Sequence, residues 1–204
     1  GCYLSGGVAN IKQIKCGESH SIFLTKNGLV FTVGSNTRSQ CGEESIDNDQ
    51  VYYPKWIHFP RNALIQDVCC GSNHNLCVST EHQLFVFGCN EYGQISPKWR
   101  ATDNEEDELN EEQTDTLQDE DAAPPMLLPH RDQVITPRLH PYFAQQKEIK
   151  IRLIDCGANH SLCIDFEGGL WMFGDNRCGQ IGCNQDVEYV DVPFLMQSHK
   201  HLNE

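Results

Sequence analysis

The stretch IRLIDCGANHSLCIDFEGGLWMFGDNRCGQIG, residues 151–182, carries a pattern that occurs twice more in the chain. Its first ten residues match IKQIKCGESH at 11–20 and IQDVCCGSNH at 65–74, and each of the three ends in Cys-Gly-x-x-His. In every copy a second glycine lies seventeen positions after the first and opens a Gly-x-Asn turn, followed by a Gly-Gln or Ser-Gln pair. Since these spacings agree in three copies, the sequence predicts a threefold structural repeat.

Each repeat predicts a pair of short strands joined by a tight turn. In the first copy, residues 22–24 and 30–33 flank Asn27 and Gly28, and Asn-Gly is the strongest short signal for a hairpin. In the second copy His82 stands at the position of the turn glycine, and histidine tolerates a positive φ better than most residues do. The two strands of each pair are therefore predicted to be antiparallel.

The length of the repeat indicates a propeller blade. Successive repeats start at residues 11, 65 and 151, so the first interval is 54 residues. Further strands are predicted near 54–59 and 193–196, and a blade typically has four strands in about 40–50 residues. No segment shows the 3.6-residue apolar period of an amphipathic helix. The predicted fold class is all-β, a β-propeller with about three blades.

The repeats also predict how the chain is divided. The expected parts are the end of a preceding blade or a linker (1–10), a first blade repeat (11–64), a second blade repeat (65–148) that contains an acidic insert at about 97–133, and a third blade repeat with a tail (149–204). The insert is placed there because the second interval is longer than the first, and the excess follows Ser96.

The combined motif, Cys-Gly-x-x-His followed by strand, turn, strand and Gly-x-Asn-x-x-Gly-Gln-x-Gly, resembles the repeat of the regulator of chromosome condensation family. Ser39 and Ser96 depart from motif glycines. The resemblance implies a seven-bladed propeller, of which three repeats form an open arc or a fragment that further blades or a second chain would close. It covers residues 11–59, 65–96 with 134–143, and 149–197.

The recurring motif residues are interpreted as framework. The three Cys-x3-His pairs suggest a zinc site, but each pair recurs once per blade, which favours cysteines in the core and poorly exposed histidines bonded to a neighbouring loop. The glycines suit close chain approach or a positive φ. The residues assigned to this motif are Cys16, Gly17, His20, Gly34, Cys70, Gly71, His74, Gly88, Cys156, Gly157, His160 and Gly174.

No pattern for catalysis or for a cofactor is found. The chain has no Gly-x-Ser-x-Gly elbow, no Gly-x4-Gly-Lys-[Ser/Thr] loop and no Gly-x-Gly-x-x-Gly fingerprint. Phe31, Phe85 and Trp171 stand at equivalent strand positions, where they form either a stacking platform or, as their recurrence favours, a row in the core between blades. We therefore expect neither an enzyme nor a bound cofactor or metal.

The charge of the chain is concentrated in the insert. The chain has 29 acidic and 15 basic residues, and 11 of the acidic ones lie between Asp103 and Asp121 with no Lys or Arg among them. This balance argues against direct binding to nucleic acid, and no apolar run reaches the roughly 20 residues of a membrane span. The 11 scattered cysteines favour reduced thiols and an intracellular place, cytoplasmic or nuclear.

The insert is the one feature that breaks the repeat. Its composition predicts a solvated loop, which either has no ligand or attracts a basic partner. The candidate partner-binding residues are Trp99, Glu105, Glu106, Asp107, Glu108, Met126 and Leu127.

Three functions stay open at this point. The first is a non-catalytic interaction module that holds a protein partner in its rim loops, since loops usually carry the function of a propeller. The second, implied by the family resemblance alone, is a guanine-nucleotide exchange factor for a Ran-like small GTPase. The third is a part of a larger multidomain protein whose activity lies elsewhere.

Overall fold

The computed structural model describes residues 10–43, 49–95, 133–183 and 186–196. Within these ranges the chain forms twelve strands, one short α-helix and a 3₁₀ turn at Pro60–Asn62. The strands are β1 Ile11–Cys16, β2 His20–Thr25, β3 Val30–Ser35, β4 Gln50–Ile57, β5 Ile65–Cys70, β6 His74–Ser79, β7 Leu84–Cys89, β8 Gln133–Leu139, β9 Ile151–Cys156, β10 His160–Asp165, β11 Leu170–Asp175 and β12 Tyr189–Met196, and the helix is α1 Pro141–Gln145.

Each group of four consecutive strands forms one antiparallel sheet. The strand orders are β1-β2-β3-β4, β5-β6-β7-β8 and β9-β10-β11-β12, so each sheet is an up-and-down blade. Strand β5 contacts both β1 and β9, which places the blades side by side in chain order. The prediction of an all-β fold with three propeller blades is confirmed, and β4 and β12 overlap the strands predicted near 54–59 and 193–196. The boundaries drawn between the repeats stay a prediction.

The hairpin turns have the backbone conformation that their residues predict. Gly28 and Gly168 adopt φ values of 82° and 88°, and His82 adopts 64° at the equivalent position. The His82 ring is held by Gln66, whose Nε2 lies 2.9 Å from Nδ1, and it packs edge-on against Phe166 at 4.6 Å between ring centroids. The ring of the histidine that replaces the turn glycine is thus held by Gln66 of its own blade and by Phe166 of the third blade.

The short helix α1 was not predicted. It has five residues and begins with Pro141, whose fixed φ suits the first position of a helix. A single turn is too short to show an apolar period. Its Phe143 is buried and packs against Trp171, with 5.6 Å between the ring centroids. The helix therefore covers the boundary between the second and third blades at the end where the chain passes from one blade to the next.

The core lies between the blades, and in the described part of the chain only the middle blade is covered on both faces. Every residue of β6 and β7 is buried. In β2 the side chains that face the second blade, such as Ile22 and Leu24, are buried, whereas Phe23 between them is only partly covered. In β10 the same alternation is shifted by one residue, because the second blade covers the opposite face.

The predicted aromatic row follows this arrangement. Phe85 and Trp171 are buried at the first and second sheet-to-sheet boundaries, respectively, with 1% and 7% of their surface exposed. Phe31 is only partly buried, because in the described part of the chain no sheet packs against its face of the first blade. Two of the three aromatics are therefore core residues between blades.

Candidate protein-interaction rim

The two ends of the blades carry different loops. At one end, called the upper rim here, lie the turns between the first and second strands and the described residues of the loops between the third and fourth strands, 36–43 with 49, 90–95, and 176–183 with 186–188. At the other end, the lower rim, lie the hairpin turns and the links from one blade to the next.

The upper-rim loops are fixed by their own asparagine and glutamine side chains. In each blade the asparagine Oδ1 accepts the backbone N–H of the residue five positions on, at 3.0 to 3.1 Å. In each blade the glutamine Oε1 accepts the N–H two positions before it, at 2.7 to 2.8 Å. The asparagines are Asn36, Asn90 and Asn176, and the glutamines are Gln40, Gln94 and Gln180.

Two glycine positions of the motif require a left-handed backbone. Gly34, Gly88 and Gly174 have φ values of 118°, 108° and 112°, in a region that side-chain-bearing residues rarely adopt. Ser39, which departs from the motif, adopts φ 58° where the equivalent glycines of the other blades adopt 72° and 75°. The serine keeps the turn at a cost of roughly 1–2 kcal/mol and offsets part of it with a hydrogen bond to Gln133.

A buried hydrogen-bond relay joins the first blade to the second. His20 Nε2 lies 2.9 Å from Oδ1 of Asn75, whose Nδ2 donates to the carbonyl oxygen of Gln40 at 2.8 Å. Because the Asn75 amide nitrogen is used on Gln40, its oxygen must accept from His20. His20 therefore carries its proton on Nε2.

An equivalent relay joins the second blade to the third. His74 Nε2 lies 3.0 Å from Oγ of Ser161, and this hydroxyl donates to the carbonyl oxygen of Gln94. The proton of the serine is thus used, so His74 is the donor to Ser161. In both relays the histidine of one blade bonds the residue that follows the histidine of the next.

The motif glycine leaves room for the histidine ring of its own blade. A Cβ on Gly71 would overlap the ring of His74 and lie 2.7 Å from the carbonyl oxygen of Gly157 in the next blade. The Nδ1 atoms of His20 and His74 are buried in this space without a hydrogen-bond partner among the described residues. The spacing Cys-Gly-x-x-His is therefore a packing unit.

Burial keeps these histidines neutral. It lowers the pKa of His74 to about 3, and the neighbouring His20 and His160 contribute in the same direction. Burial also lowers the pKa of His20. His160 differs, since it is only partly covered at the outer face of the third blade; burial lowers its pKa, and Asp175 and Asp155 partly oppose this.

The motif cysteines make separate contacts rather than a common site. The Cys70 thiol donates to Asn75 Oδ1 at 3.2 Å, Cys16 accepts from Ser21, and Cys156 lies against Cys69. In the part of the chain that the structure describes, no three His, Cys, Asp or Glu side chains lie close enough together to hold a metal ion.

The predicted partner-binding residues lie outside the described residues. These are Trp99, Glu105, Glu106, Asp107, Glu108, Met126 and Leu127. The residues on either side of the insert are described, and they belong to the upper rim. Gln94 and Ile95 are buried there, and Gln133 opens β8, where its Oε1 accepts from Ser39 Oγ of the first blade at 2.9 Å.

The upper rim is acidic even without the insert. Its described loop residues carry two guanidinium groups, and each has a carboxylate beside it: Arg38 lies 3.7 Å from Glu91, and Arg177 lies 2.9 Å from Asp175. Arg177 also stacks over the ring of Tyr92 at 4.6 Å and so connects two blades. The acidic residues of these turns and loops are Glu18, Glu43, Asp49, Glu91, Asp186 and Glu188, and Glu43 is paired with Lys55 of β4.

Sequence reasoning missed the partners of the histidines. The signal for them is the position after each motif histidine, which holds Ser21, Asn75 and Ser161, small polar residues in strands that otherwise carry apolar ones. A polar residue at a recurring buried position indicates a hydrogen-bond partner nearby.

Among the described residues, no helix is both long enough and apolar enough to cross a membrane.

Comparison with known proteins agrees with the fold. The Prp20p protein of Saccharomyces cerevisiae, whose crystal structure has been solved, superimposes with a TM-score of 0.70 at 22% identity, over 93% of this chain and 39% of Prp20p. The protein RCC2 homolog of Danio rerio is 26% identical over 190 residues, which are 89% of this chain and 34% of that protein. The serine/threonine-protein kinase Nek9 of Xenopus laevis is 25% identical over 185 residues, 91% of this chain and 17% of that protein.

The chain thus spans well under two thirds of the length of each of these proteins. A family model described as the regulator of chromosome condensation (RCC1) repeat matches residues 11–40, 65–94 and 151–180, and a second model of the same repeat matches residues 27–78. The chain belongs to the regulator of chromosome condensation repeat family.

Proposed function

We propose that the chain is a non-catalytic interaction module that binds a basic protein partner at its upper rim, with the acidic insert as part of the binding surface. The observation that carries the proposal is where the insert is attached. It leaves the second blade after the buried Ile95 and returns at Gln133, and both residues belong to the upper rim.

The buried polar residues of the motif support a non-catalytic role. His20 and His74 are used in the relays between blades, and Asn36 and Gln40 shape their own loop. A catalytic group is needed once, whereas these groups recur at equivalent positions. Function is therefore assigned to the residues that differ between blades.

The charges favour a basic partner. The described carboxylates of the upper rim stand at the end of the blades where the insert, which contains 11 acidic residues between Asp103 and Asp121, is attached. A surface of one sign attracts a partner of the opposite sign and speeds its association.

Further blades of the same kind complete this module in our proposal. On the outer face of the third blade, His160, Leu162 and Ile164 are only partly covered, although their counterparts in the second blade are buried. His160 stands where the other two motif histidines donate to a following blade. A following blade that supplies a serine or an asparagine would complete this third relay.

The test measures association with core histones as the basic probe, because Prp20p is described as binding histones. In the variant Glu105→Gln, Glu106→Gln, Asp107→Asn, Glu108→Gln we expect slower association with little change in dissociation, and a steep loss of affinity as salt rises. The control replaces Glu81, Glu148 and Glu167 of the lower rim by glutamine and should leave the association rate unchanged. Equal effects of the two variants, or an affinity independent of salt, would refute the proposal.

The second candidate is a guanine-nucleotide exchange factor for a Ran-like small GTPase. It is favoured by the yeast relative Prp20p, which is described as binding Gsp1p. Nucleotide release from a panel of small GTPases decides between the candidates. We expect no acceleration from these 204 residues, since three blades present only part of a ring of loops. Accelerated release at substoichiometric amounts of this chain would favour the exchange factor.

A further inference from the structure

Two thiols face each other across the boundary between the second and third blades. Cys69 in β5 and Cys156 in β9 have their sulfur atoms 2.7 Å apart, closer than the roughly 3.5–4.0 Å at which non-bonded heavy atoms rest. The two strands are the first strands of neighbouring blades and contact each other. Cys69 is buried, whereas Cys156 is only partly covered.

The repeat explains why the pair occurs at this boundary. Cys156 is the motif cysteine of the third blade, and Cys69 is the residue before the motif cysteine of the second blade. At the first boundary the equivalent positions hold Cys70 and Lys15, and the Lys15 ammonium lies near enough to lower the pKa of the Cys70 thiol, against the larger raising effect of burial. The backbone therefore brings these two positions together at each boundary, and only the second boundary has a cysteine at both.

We propose that Cys69 and Cys156 are a site of oxidative modification, at which a peroxide converts the two thiols into a disulfide bond between the second and third blades. The sulfur of Cys156, the residue with the larger exposed fraction, attacks hydrogen peroxide, the O–O bond breaks, and a sulfenic acid and water form. The Cys69 sulfur then attacks the Cys156 sulfur, the S–O bond breaks, and a second water leaves. Two thiols are oxidised and one peroxide is reduced to two waters.

The environment makes this reaction slow at neutral pH. Burial raises the pKa of the Cys156 thiol well above its usual value, and Cys69 adds to the effect. Only the thiolate attacks a peroxide, so the rate of cross-linking should rise about tenfold per pH unit between pH 7 and 9. The pair therefore responds to prolonged oxidation.

The cross-link should stabilise the two blades together. It joins positions 87 residues apart in the sequence, and closing so long a loop restricts the unfolded chain strongly. We expect the oxidised protein to melt roughly 10 °C above the reduced protein.

The experiment maps disulfides by mass spectrometry of non-reduced peptides, after the folded chain has been treated with hydrogen peroxide and its free thiols alkylated. The expected product is a peptide pair that joins Cys69 to Cys156. Recovery of both cysteines as alkylated thiols, links dominated by other pairs, or Cys156 as a sulfinic acid beside a free Cys69 would each overturn the proposal.

Three variants sharpen the experiment. In C69S, Cys156 should lack its resolving partner and accumulate as the sulfinic acid. The matched control C163S alters another buried cysteine near Cys69 and should keep the link. In K15C a second link, between position 15 and Cys70, should appear, because the first boundary would then have the same pair of thiols. Absence of that second link under conditions that form the first would contradict the argument from the repeat.

Discussion

His140 is a buried base whose removal should change how stability depends on pH. The residue is fully buried between Phe143 and Phe173, and the centroid of each phenyl ring lies 5.0 Å from the centroid of the His140 ring. Neither nitrogen of the His140 ring has a hydrogen-bond partner among the described residues. Burial lowers the pKa of His140 to about 3, from an ordinary value of 6.5. The native protein therefore holds this side chain neutral.

The sign and the size of the effect follow from that difference. Above pH 6.5 the ring is neutral in the folded and the unfolded chain, and its titration costs nothing. As the pH falls below 6.5 the unfolded chain takes up a proton that the folded chain refuses, so the free energy of unfolding falls by about 1.4 kcal/mol per pH unit. At pH 5 the loss due to His140 is about 2 kcal/mol.

The variant His140→Leu has no ring to protonate in the unfolded chain, so it should lack this loss of stability at low pH. The free energy of unfolding is measured by urea titration at pH 5 and at pH 8 for the variant and for the wild type. Its decrease from pH 8 to pH 5 should be about 2 kcal/mol smaller in the variant than in the wild type. At pH 8 the variant should be as stable as the wild type or about 1 kcal/mol more stable, since two unpaired nitrogens leave the core. The control Ile151→Val alters a buried side chain that does not titrate, and should keep the wild-type pH dependence. Identical pH dependence of His140→Leu and the wild type would refute the reasoning.

Two further predictions concern the repeat and the insert. Gly71→Ala should lower the free energy of unfolding, measured in urea, by about 3 kcal/mol, because the new Cβ would overlap the His74 ring. The control Gly179→Ala has open space around the Cβ and φ 75°, and should lower it by only about 1 kcal/mol. Equal losses in the two variants would show that the His74 ring does not fill the space beside Gly71. Deleting residues 101–128 and joining the ends with a short Gly-Ser turn should change the free energy of unfolding by less than about 1 kcal/mol, since loop length affects closure entropy only weakly. A large drop in the melting temperature would show that the deleted residues stabilise the second blade.

The sequence predicted those features whose causes lie within one repeat. The hairpin at Asn27 and Gly28, the positive φ of His82 and of Gly88, and the four-stranded blades all depend on residues close together in the chain. Local turn chemistry and the apolar pattern are sufficient for such features.

Apart from the single-turn helix α1, the features that were not predicted depend on residues far apart in the chain. The relays join positions separated by 55 and 87 residues, and the thiol pair is also separated by 87. Which position of one strand meets which position of the next blade is decided by how the sheets stack, and no local pattern states it. His160 differs from His20 and His74 for the same reason, since among the described residues no further sheet packs against its face of the third blade.

The relay between blades has a direction. Its donor is always a motif histidine, and its acceptor always stands one position after the motif histidine of the next blade. The two partly covered faces at the ends of the arc are therefore unlike: the third blade presents the donor His160, and the first presents Ser21 at the acceptor position. A further blade stacked in the same direction would present its acceptor position to His160, or its histidine to Ser21, and such head-to-tail contacts are heterologous ones, which close into a ring when the rotation per blade allows it.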